Sequence, residues 1–517
     1  VLDVNPYRCL SRFLVLAVFV VSTQAAAVSA AEWTAKVDPW VLDRVAAEGE
    51  AEFLVVFKEQ ADLSAAPTIR SKAERGRFVF ERLSQLAERS QREVRYELAT
   101  RGIDFRPYWI VNMIWVRSDL AAVQALAGRD DVARLSANPS VPFERPQASE
   151  APDGGSETPE GSLIRVGAPD LWALGFTGQG AVVAGADTGY DWDHPALINQ
   201  YRGWDGATAV HDYNWHDAIH VTGSDCGADS PEPCDDNGHG THTMGTMVGD
   251  DGGSNQIGMA PGARWIGCRN MNEGDGSPAT YSECFQFFIA PTDANDQNPR
   301  PDLAPDVVNG SWSCPPSEGC TDPNVILTVV ENTRAAGIVV SHAASNTGPS
   351  CGTVNTPAAI YEASFSVGAV DASDNIASFS ARGPVTVDGS NRLKPDVSAP
   401  GTGIRSSFPN GGYGTLQGTS MAAPHVSGLV ALLISAQGCL QGDPESLEQF
   451  IIASAVPRTT TQECGGIPGS EVPNNTYGYG SIRAVVPPID ACNGLIFSDG
   501  FESGDTGNWS EDVPNPR

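Results

Sequence analysis

No cysteine occurs between residues 31 and 225, and no two cysteines anywhere form a Cys-x-x-Cys pair. That spacing argues against a zinc-stapled module. Past residue 30 no apolar run is long enough to cross a bilayer. Positive charge is scarce in one part of the chain only. Residues 148–517 carry 13 Lys and Arg against 44 Asp and Glu, whereas residues 1–147 carry 19 of each. The net charge of −31 therefore sits entirely on the longer part. So acidic a surface repels nucleic acid and anionic membrane, and neither is expected as a partner. It suits an exported protein kept dispersed by self-repulsion, and it leaves open a preference for cationic substrates.

What is present begins with a leader-like stretch. Arg8 and Arg12 precede an apolar run, Phe13 to Val21, and small residues follow from Ala25 to Ala30. This is the order of a secretory signal peptide, with cleavage expected after Ala30 or Ala31; the run is short for a membrane anchor. Cys9 falls inside it. Ten cysteines remain, an even number, which in an exported chain implies disulfides. Cys226 with Cys234, and Cys314 with Cys320, are close enough to close small loops; spacing does not settle the other pairings.

Residues 51–57 read as a strand, 70–101 as a long amphipathic helix, and Tyr108 to Arg117 as a second strand. A short helix over Asp119 to Ala127, capped by Ser118 or Asp119, and strands within Val132 to Phe143 complete an α+β order. Residues 144–162 lose all periodicity and read as an exposed linker. Beyond it, buried-type runs such as Ala181 to Ala186 and Gly337 to Val340 alternate with helical stretches, notably Ser420 to Ala436. That alternation predicts an α/β doubly wound, mostly parallel sheet.

Three segments carry chemistry. Asp187 closes the run Ala181–Ala186 at a strand's carboxyl end, where ligands bind in open α/β sheets; alone it is also an ordinary strand-end turn. Gly238-His239-Gly240-Thr241-His242 can present an imidazole as a general base. His239 and His242 could be read as a metal pair, but the glutamate of His-Glu-x-x-His is missing. Gly418-Thr419-Ser420-Met421-Ala422-Ala423-Pro424-His425 opens a helix whose continuation is apolar on nearly every side. Ser420 would sit in the helix's positive field, as a nucleophile or as a plain N-cap.

Taken together, these segments resemble the subtilisin-like (subtilase) family of serine proteases, over roughly residues 163–487. The order Asp, His, Ser is that of the family. Ser380-Ala-Arg-Gly-Pro384, Lys394 to Gly401 and Gly478-Tyr-Gly480 extend the match, and Met259 to Asn270 with Ser311 to Thr321 look most like the bacillopeptidase F-like branch. The resemblance implies a secreted serine endopeptidase with Asp187, His239 and Ser420 as triad and Asn346 as oxyanion donor. It implies that Ser311-Trp312-Ser313 and Ala343-Ala344-Ser345 are the two edges that pair with substrate. Its domains would be a signal peptide (1–30), a ferredoxin-like inhibitory propeptide (31–147), a linker where self-processing occurs (148–162), the catalytic domain (163–487) and a short acidic C-terminal motif (488–517). Protein or peptide substrates, the chain's own propeptide as inhibitor, a monomeric state and a place outside the cell or at its envelope follow from the same resemblance. No cofactor is implied for the chemistry.

The chain departs from the family pattern at three points. Ser345 replaces a glycine beside Asn346, Trp312 replaces a smaller aliphatic residue, and Ala196 stands where many members place a calcium-binding aspartate. Calcium is therefore not expected at 196. The acidic insert Asp225 to Asp236 reads as solvated loop, with calcium binding as the alternative. Two other functions compete: a catalytically silent member that binds peptides, and a sedolisin-type acid peptidase, which lacks Gly-His-Gly-Thr-His.

Overall fold

The computed structural model describes residues 33–142, 147–148 and 158–488. Its chain divides into two compact units. The first takes the residues up to Ala61 together with Leu83–Pro139, and the second takes Asp62–Arg82 and the residues from Ser140 onward.

The first unit contains α1 (Pro39–Glu48), β1 (Ala51–Phe57), most of α2 (Lys72–Arg101), β2 (Asp104–Tyr108), β3 (Met113–Ser118), α3 (Leu120–Ala127) and β4 (Val132–Ala137). Its four strands form an antiparallel sheet in the order β2-β3-β1-β4. Phe53, Val55 and Phe57 alternate along β1 and point into a core with Ile114 and Val116 of β3. Val94 and Leu98, one helical turn apart on α2, cover them with Val123 and Leu126 of α3. Asp119 caps α3 by accepting from Ala122 N at 3.0 Å.

The second unit continues with β5 (Val141–Pro142), β6 (Gln147–Ala148), α4 (Gly161–Val166), α5 (Ala168–Ala173), β7 (Val182–Asp187), β8 (Trp215–Asp217), α6 (His239–Val248), β9 (Arg264–Arg269), β10 (Met271–Asn272) and β11 (Asp275–Gly276). Then come α7 (Pro278–Ile289), β12 (Val307–Gly310), α8 (Leu327–Ala335), β13 (Val339–Ala343), β14 (Phe365–Val370), β15 (Val397–Pro400), β16 (Ile404–Phe408), β17 (Gly412–Gln417), α9 (Thr419–Ala436) and α10 (Pro444–Ser454). Seven strands form one wholly parallel sheet, β15-β14-β13-β12-β7-β9-β8. The predicted α/β sheet is thus present. From β7 the chain winds first toward β9 and β8, then returns to build outward from β12. The order reverses beside β7, and the carboxyl end of β7 opens on the crevice this creates.

The core explains the apolar helix at the end of the serine segment. Leu429, Val430 and Leu433 of α9 pack with Val183, Val307, Val339, Val367 and Val397 from five strands. Among the described residues α9 is the one helix long and apolar enough to cross a membrane, and 89% of it is buried inside the protein.

The linker expected at 148–162 is structured at both ends. Gln147 and Ala148 pair with β17, and Glu160, 6% exposed, precedes α4. Glu160 is held by its N–H to Gln256 O and by a 2.8 Å ion pair with Arg405.

Candidate active site

Asp187 ends β7 and is fully buried. Its Oδ1 accepts from Thr188 N at 2.8 Å and from His239 Nδ1 at 2.7 Å; its Oδ2 accepts from Thr243 Oγ1 at 3.3 Å. A carboxylate held by three donors turns Nδ1 of the imidazole toward itself, which puts Nε2 on the opposite side of the ring. His239 opens α6, and Gly240 explains why it can approach β7 so closely. A Cβ at Gly240 would lie 2.1 Å from Gly189 O and 3.1 Å from Asp187 Cβ.

The N-terminus of α6 is clamped by Asp235, a residue the sequence reading placed in a solvated loop. Its Oδ1 accepts from Thr188 Oγ1 (2.8 Å), Asn237 N (3.1 Å) and Gly238 N (2.8 Å); its Oδ2 accepts from Thr241 N (2.9 Å) and Thr241 Oγ1 (2.6 Å). One carboxylate therefore fixes the helix start that carries His239 to the turn after Asp187. The neighbouring Asp236 is also consumed, by Arg269, a fully buried guanidinium that pairs with Asp217 at 2.9 Å and Asp236 at 3.2 Å. With the Cys226–Cys234 disulfide closing it, the insert is stapled at its end, not solvated throughout. Asp four residues before the helical histidine was the available signal, since acidic side chains favour helix N-termini.

His242 does not serve as a metal partner to His239. Its Nε2 donates to Ile404 O and Gly414 O at 3.1 and 3.2 Å, and burial pushes its pKa down to about 3, helped by the nearby His239.

Ser420 is the second residue of α9, which packs against α6. Gly418 at the N-cap has no side chain to accept a bond, so the cap comes from elsewhere. Asn346 Oδ1 accepts from Thr419 N at 2.8 Å and Thr419 Oγ1 at 3.0 Å. Both donors bind the amide oxygen, which leaves Asn346 Nδ2 to face outward as a donor. Pro424 has the opposite effect one turn on. It lacks the N–H that would reach Ser420 O. Ser311 Oγ donates there at 3.2 Å, while Ser420 Oγ donates to Ser311 O at 3.2 Å. Ser311 Oγ accepts from Asn309 Nδ2 at 2.9 Å, and Ser427 Oγ donates to Asn309 Oδ1 at 3.2 Å. A buried polar chain thus joins the end of β12 to the first three turns of α9.

Ser311, Trp312, Ser313, Ala343, Ser345 and Asn346 line one small pocket with Thr419 and Ser420. Ala344, expected on the same edge, is fully buried and gives its N–H to Val367 O. Ser345 has φ +88°, a left-handed backbone that favours glycine, with its Oγ 3.2 Å from Thr347 Oγ1. Trp312 is buried against Tyr281, ring centroids 3.9 Å apart and nearly coplanar at 11°.

Two edges were missed by the sequence reading. β11 pairs antiparallel with β5, Gly276 opposite Val141 and Asp275 opposite Pro142. β17, which runs directly into Gly418, pairs antiparallel with β6. The hairpin turn Glu273-Gly274, at φ +52° and +106°, was the sequence signal for the first.

At position 196 the buried methyl of Ala196 offers no ligand oxygen, and its main-chain N–H is taken by His194 Nδ1 at 3.0 Å. Calcium does not fit this position. A fixed cation lies elsewhere in the unit: Arg405 donates to Glu160 at 2.8 Å and Asn255 at 2.6 Å. Among the described residues no group of three His, Cys, Asp or Glu side chains is arranged to hold a metal ion. Described disulfides join Cys226–Cys234, Cys268–Cys284, Cys314–Cys320 and Cys351–Cys464.

The subtilase family model matches residues 178–480. This chain belongs to the subtilase family. It is 35% identical to bacillopeptidase F of Bacillus subtilis (strain 168) over 476 residues, 88% of this chain and 31% of that protein. Subtilisin E of the same organism is 32% identical over 316 residues, 61% of this chain and 70% of its own length. The major intracellular serine protease of that strain is 32% identical over 284 residues, covering 54% and 76%. The wider coverage by bacillopeptidase F places this subtilase in that branch, although the chain spans only about a third of that relative's length.

Proposed function

We propose that this subtilase is a secreted serine endopeptidase that cuts peptide bonds through an acyl-enzyme and is made as a zymogen. The observation that carries the reading is the buried 2.7 Å bond from His239 Nδ1 to Asp187, on a helix packed against α9, whose second residue is Ser420. In this reading Ser420 Oγ attacks the scissile carbonyl, and His239 Nε2 takes its proton and returns it to the leaving amine. Asp187 holds the imidazole's orientation and balances the imidazolium. Asn346 Nδ2 and the N–H groups at the start of α9 stabilise the oxyanion. Substrate adds as an extended strand along β11 and residues 311–313 on one side of Ser420, and along β17 on the other. Ser345 and the Tyr281–Trp312 stack narrow the pocket and shape side-chain preference.

The zymogen reading is supported by the two short strands of the chain's own N-terminal side. β5 pairs with β11 and β6 pairs with β17, so the chain's own N-terminal side occupies both of these strands, and residues 143–146 join the two in sequence. We place the self-cut there. Export is supported by the four described disulfides. The signal-peptide segment, like the C-terminal motif, lies outside the described residues.

Purified full chain and its Ser420→Ala variant, incubated separately and sequenced at new N-termini, test the proposal. A new terminus within 143–147 in the wild type alone is expected, with hydrolysis of added peptides. A folded wild type that cuts neither itself nor any peptide overturns it in favour of a silent peptide-binding member.

A further inference from the structure

Residues 148–517 carry 13 Lys and Arg against 44 Asp and Glu. Three of those 13 line one pocket of the second unit: Arg165 near the end of α4, Arg458 and Arg483. Asp374 is the one acidic side chain in its wall, which also takes in Ser481 and Pro400, the last residue of β15. In a unit so acidic, this is a local reversal of charge. The pocket shares no lining residue with the one beside Ser420. It holds about 160 Å³, room for one small oxyanion.

The three cations are not equally satisfied. Arg458 donates from Nε to Ser481 Oγ at 3.1 Å and pairs with Asp374, which uses that carboxylate. A guanidinium has five N–H donors. Among the described residues the hydrogen bond that Arg165 makes runs from Nη1 to Asp371 O at 2.6 Å, and its buried Nε has no partner. Burial pushes the Arg165 pKa down, and the charges of Asp374 and Asp371 offset that only in part. Arg483 is exposed and makes no hydrogen bond or ion pair with a described residue. Two forked cations therefore share one pocket without a carboxylate of their own. Backbone bonds hold the stretch that carries Arg483 against α4 and β15. Ala484 N donates to Val166 O at 2.8 Å and Ile482 N to Ser398 O at 2.9 Å. Ser481 N donates to Val456 O at 2.9 Å, and Val456 N returns a bond to Ser481 O at 2.7 Å. Planar guanidinium forks fixed in this way match the paired oxygens of a carboxylate or phosphate.

We propose that this pocket is an anion-binding site, in which Arg165 and Arg483 together hold the oxygens of one carboxylate or phosphate group. The site does not depend on the protease reading. Two sources supply that chemistry: a free oxyanion in the medium, or a carboxylate of the chain itself. Past Arg483 the sequence runs into Asp490, Asp499, Glu502, Asp505, Glu511 and Asp512, with Arg517 as its one basic residue. A carboxylate tethered so near in sequence acts at a high effective concentration. An occupied pocket ties α4 to the stretch 481–484 through charge as well as through backbone.

The site is read in full-length Ser420→Ala protein by thermal melting against added inorganic phosphate at constant ionic strength. The same titration is run on a second chain in which the six acidic residues from Asp490 to Asp512 are replaced by their amides. A ligand that binds the folded state alone raises the melting temperature along a saturation curve. A saturating rise in both chains supports the site and makes its ligand a free oxyanion. A saturating rise that emerges only in the amide chain supports the site and shows that the chain's own carboxylate fills it. In the responding chain Arg483→Met is expected to raise the half-saturating phosphate concentration by about tenfold or more, as loss of a charge-assisted fork does. Arg300→Met, at a surface arginine already paired with Asp302, is expected to leave it unchanged. If Arg483→Met by itself lowers the melting temperature without phosphate, Arg483→Lys is read instead. It keeps the charge but loses the fork, and a weakened response again supports the site. A rise that never levels off, or that both Arg483 variants leave intact, is the general effect of an excluded salt and overturns the proposal. Absence of any rise in both chains overturns it as well.

Discussion

The two ends of the seven-stranded sheet each pair a buried aspartate with a nitrogen base near a helix terminus, and the two termini have opposite polarity. At the carboxyl ends a buried aspartate, Asp187, meets a histidine, and α9 begins beside Ser420 with Thr419 N capped by Asn346. At the amino ends a buried aspartate, Asp306, meets Lys72, and the finish of α8 presents the carbonyls of Arg334 and Ala335 to Arg75. Helix polarity decides the difference. A helix start stabilises charge that develops on a substrate oxygen; a helix finish stabilises a cation that is always charged. The first arrangement suits chemistry and the second suits holding a segment in place. Damage at the front should therefore show in turnover, and damage at the back in local stability.

The largest effect is expected at the front. Ser420→Ala or His239→Ala should lower kcat by about 10⁶-fold, and Asp187→Asn by about 10⁴-fold, on the scale measured for subtilisin and trypsin-type triads. Thermal melting of the same variants should confirm that the fold survives. Asn346→Leu should lower kcat by about 10²–10³-fold with KM little changed, as loss of one oxyanion donor does. A rise in KM with kcat intact would instead make Asn346 a binding residue. Its grip on Thr419 makes a melting curve the necessary companion measurement.

A smaller effect comes from three histidines buried in the second unit. Burial pushes His242 down to about 3, His342 to about 4 and His425 to about 4. Their folded pKa values lie below the unfolded value near 6.5, so between those limits the unfolded chain binds more protons and stability falls as pH falls. Thermal melts of the Ser420→Ala protein should decline from about pH 6.5 toward pH 4, and His425→Gln should flatten part of that slope. A melting temperature level across that range would contradict the assignment. The smallest effect is expected at Ser345→Gly. Glycine relieves a left-handed non-glycine backbone, which costs of order 1 kcal/mol, so stability should rise or hold. Removal of the hydroxyl should alter side-chain preference more than kcat.

Much of the second unit was legible because its signals are local. Buried strands announced themselves as unbroken apolar runs, and the α9 segment as an apolar stretch behind a serine. The glycines and small residues around His239 and Ser420 are demanded by close approach, as Gly240 against Gly189 shows. Asp235 was masked by the acidic run it sits in: four of its five donors are local, from Asn237, Gly238 and Thr241, and only Thr188 Oγ1 arrives once the chain folds back on β7. Ser311 was named as a substrate edge, but its bond to Ser420 O follows from Pro424, more than a hundred residues away. Lys72 and Arg75 read as the polar face of an amphipathic helix; nothing local distinguishes an arginine that caps a distant helix from one in water. Position 345 shows the reverse limit: the departure from glycine was visible, but its left-handed backbone was not.

The account rests on Ser420 being a nucleophile activated by His239. The direct test is mass spectrometry of the processed protein after treatment with a fluorophosphonate at neutral pH. One adduct per chain, on Ser420, that fails to form when His239 is replaced by alanine is the result predicted here. A folded, processed protein that takes no label, or takes it on another serine, would contradict it.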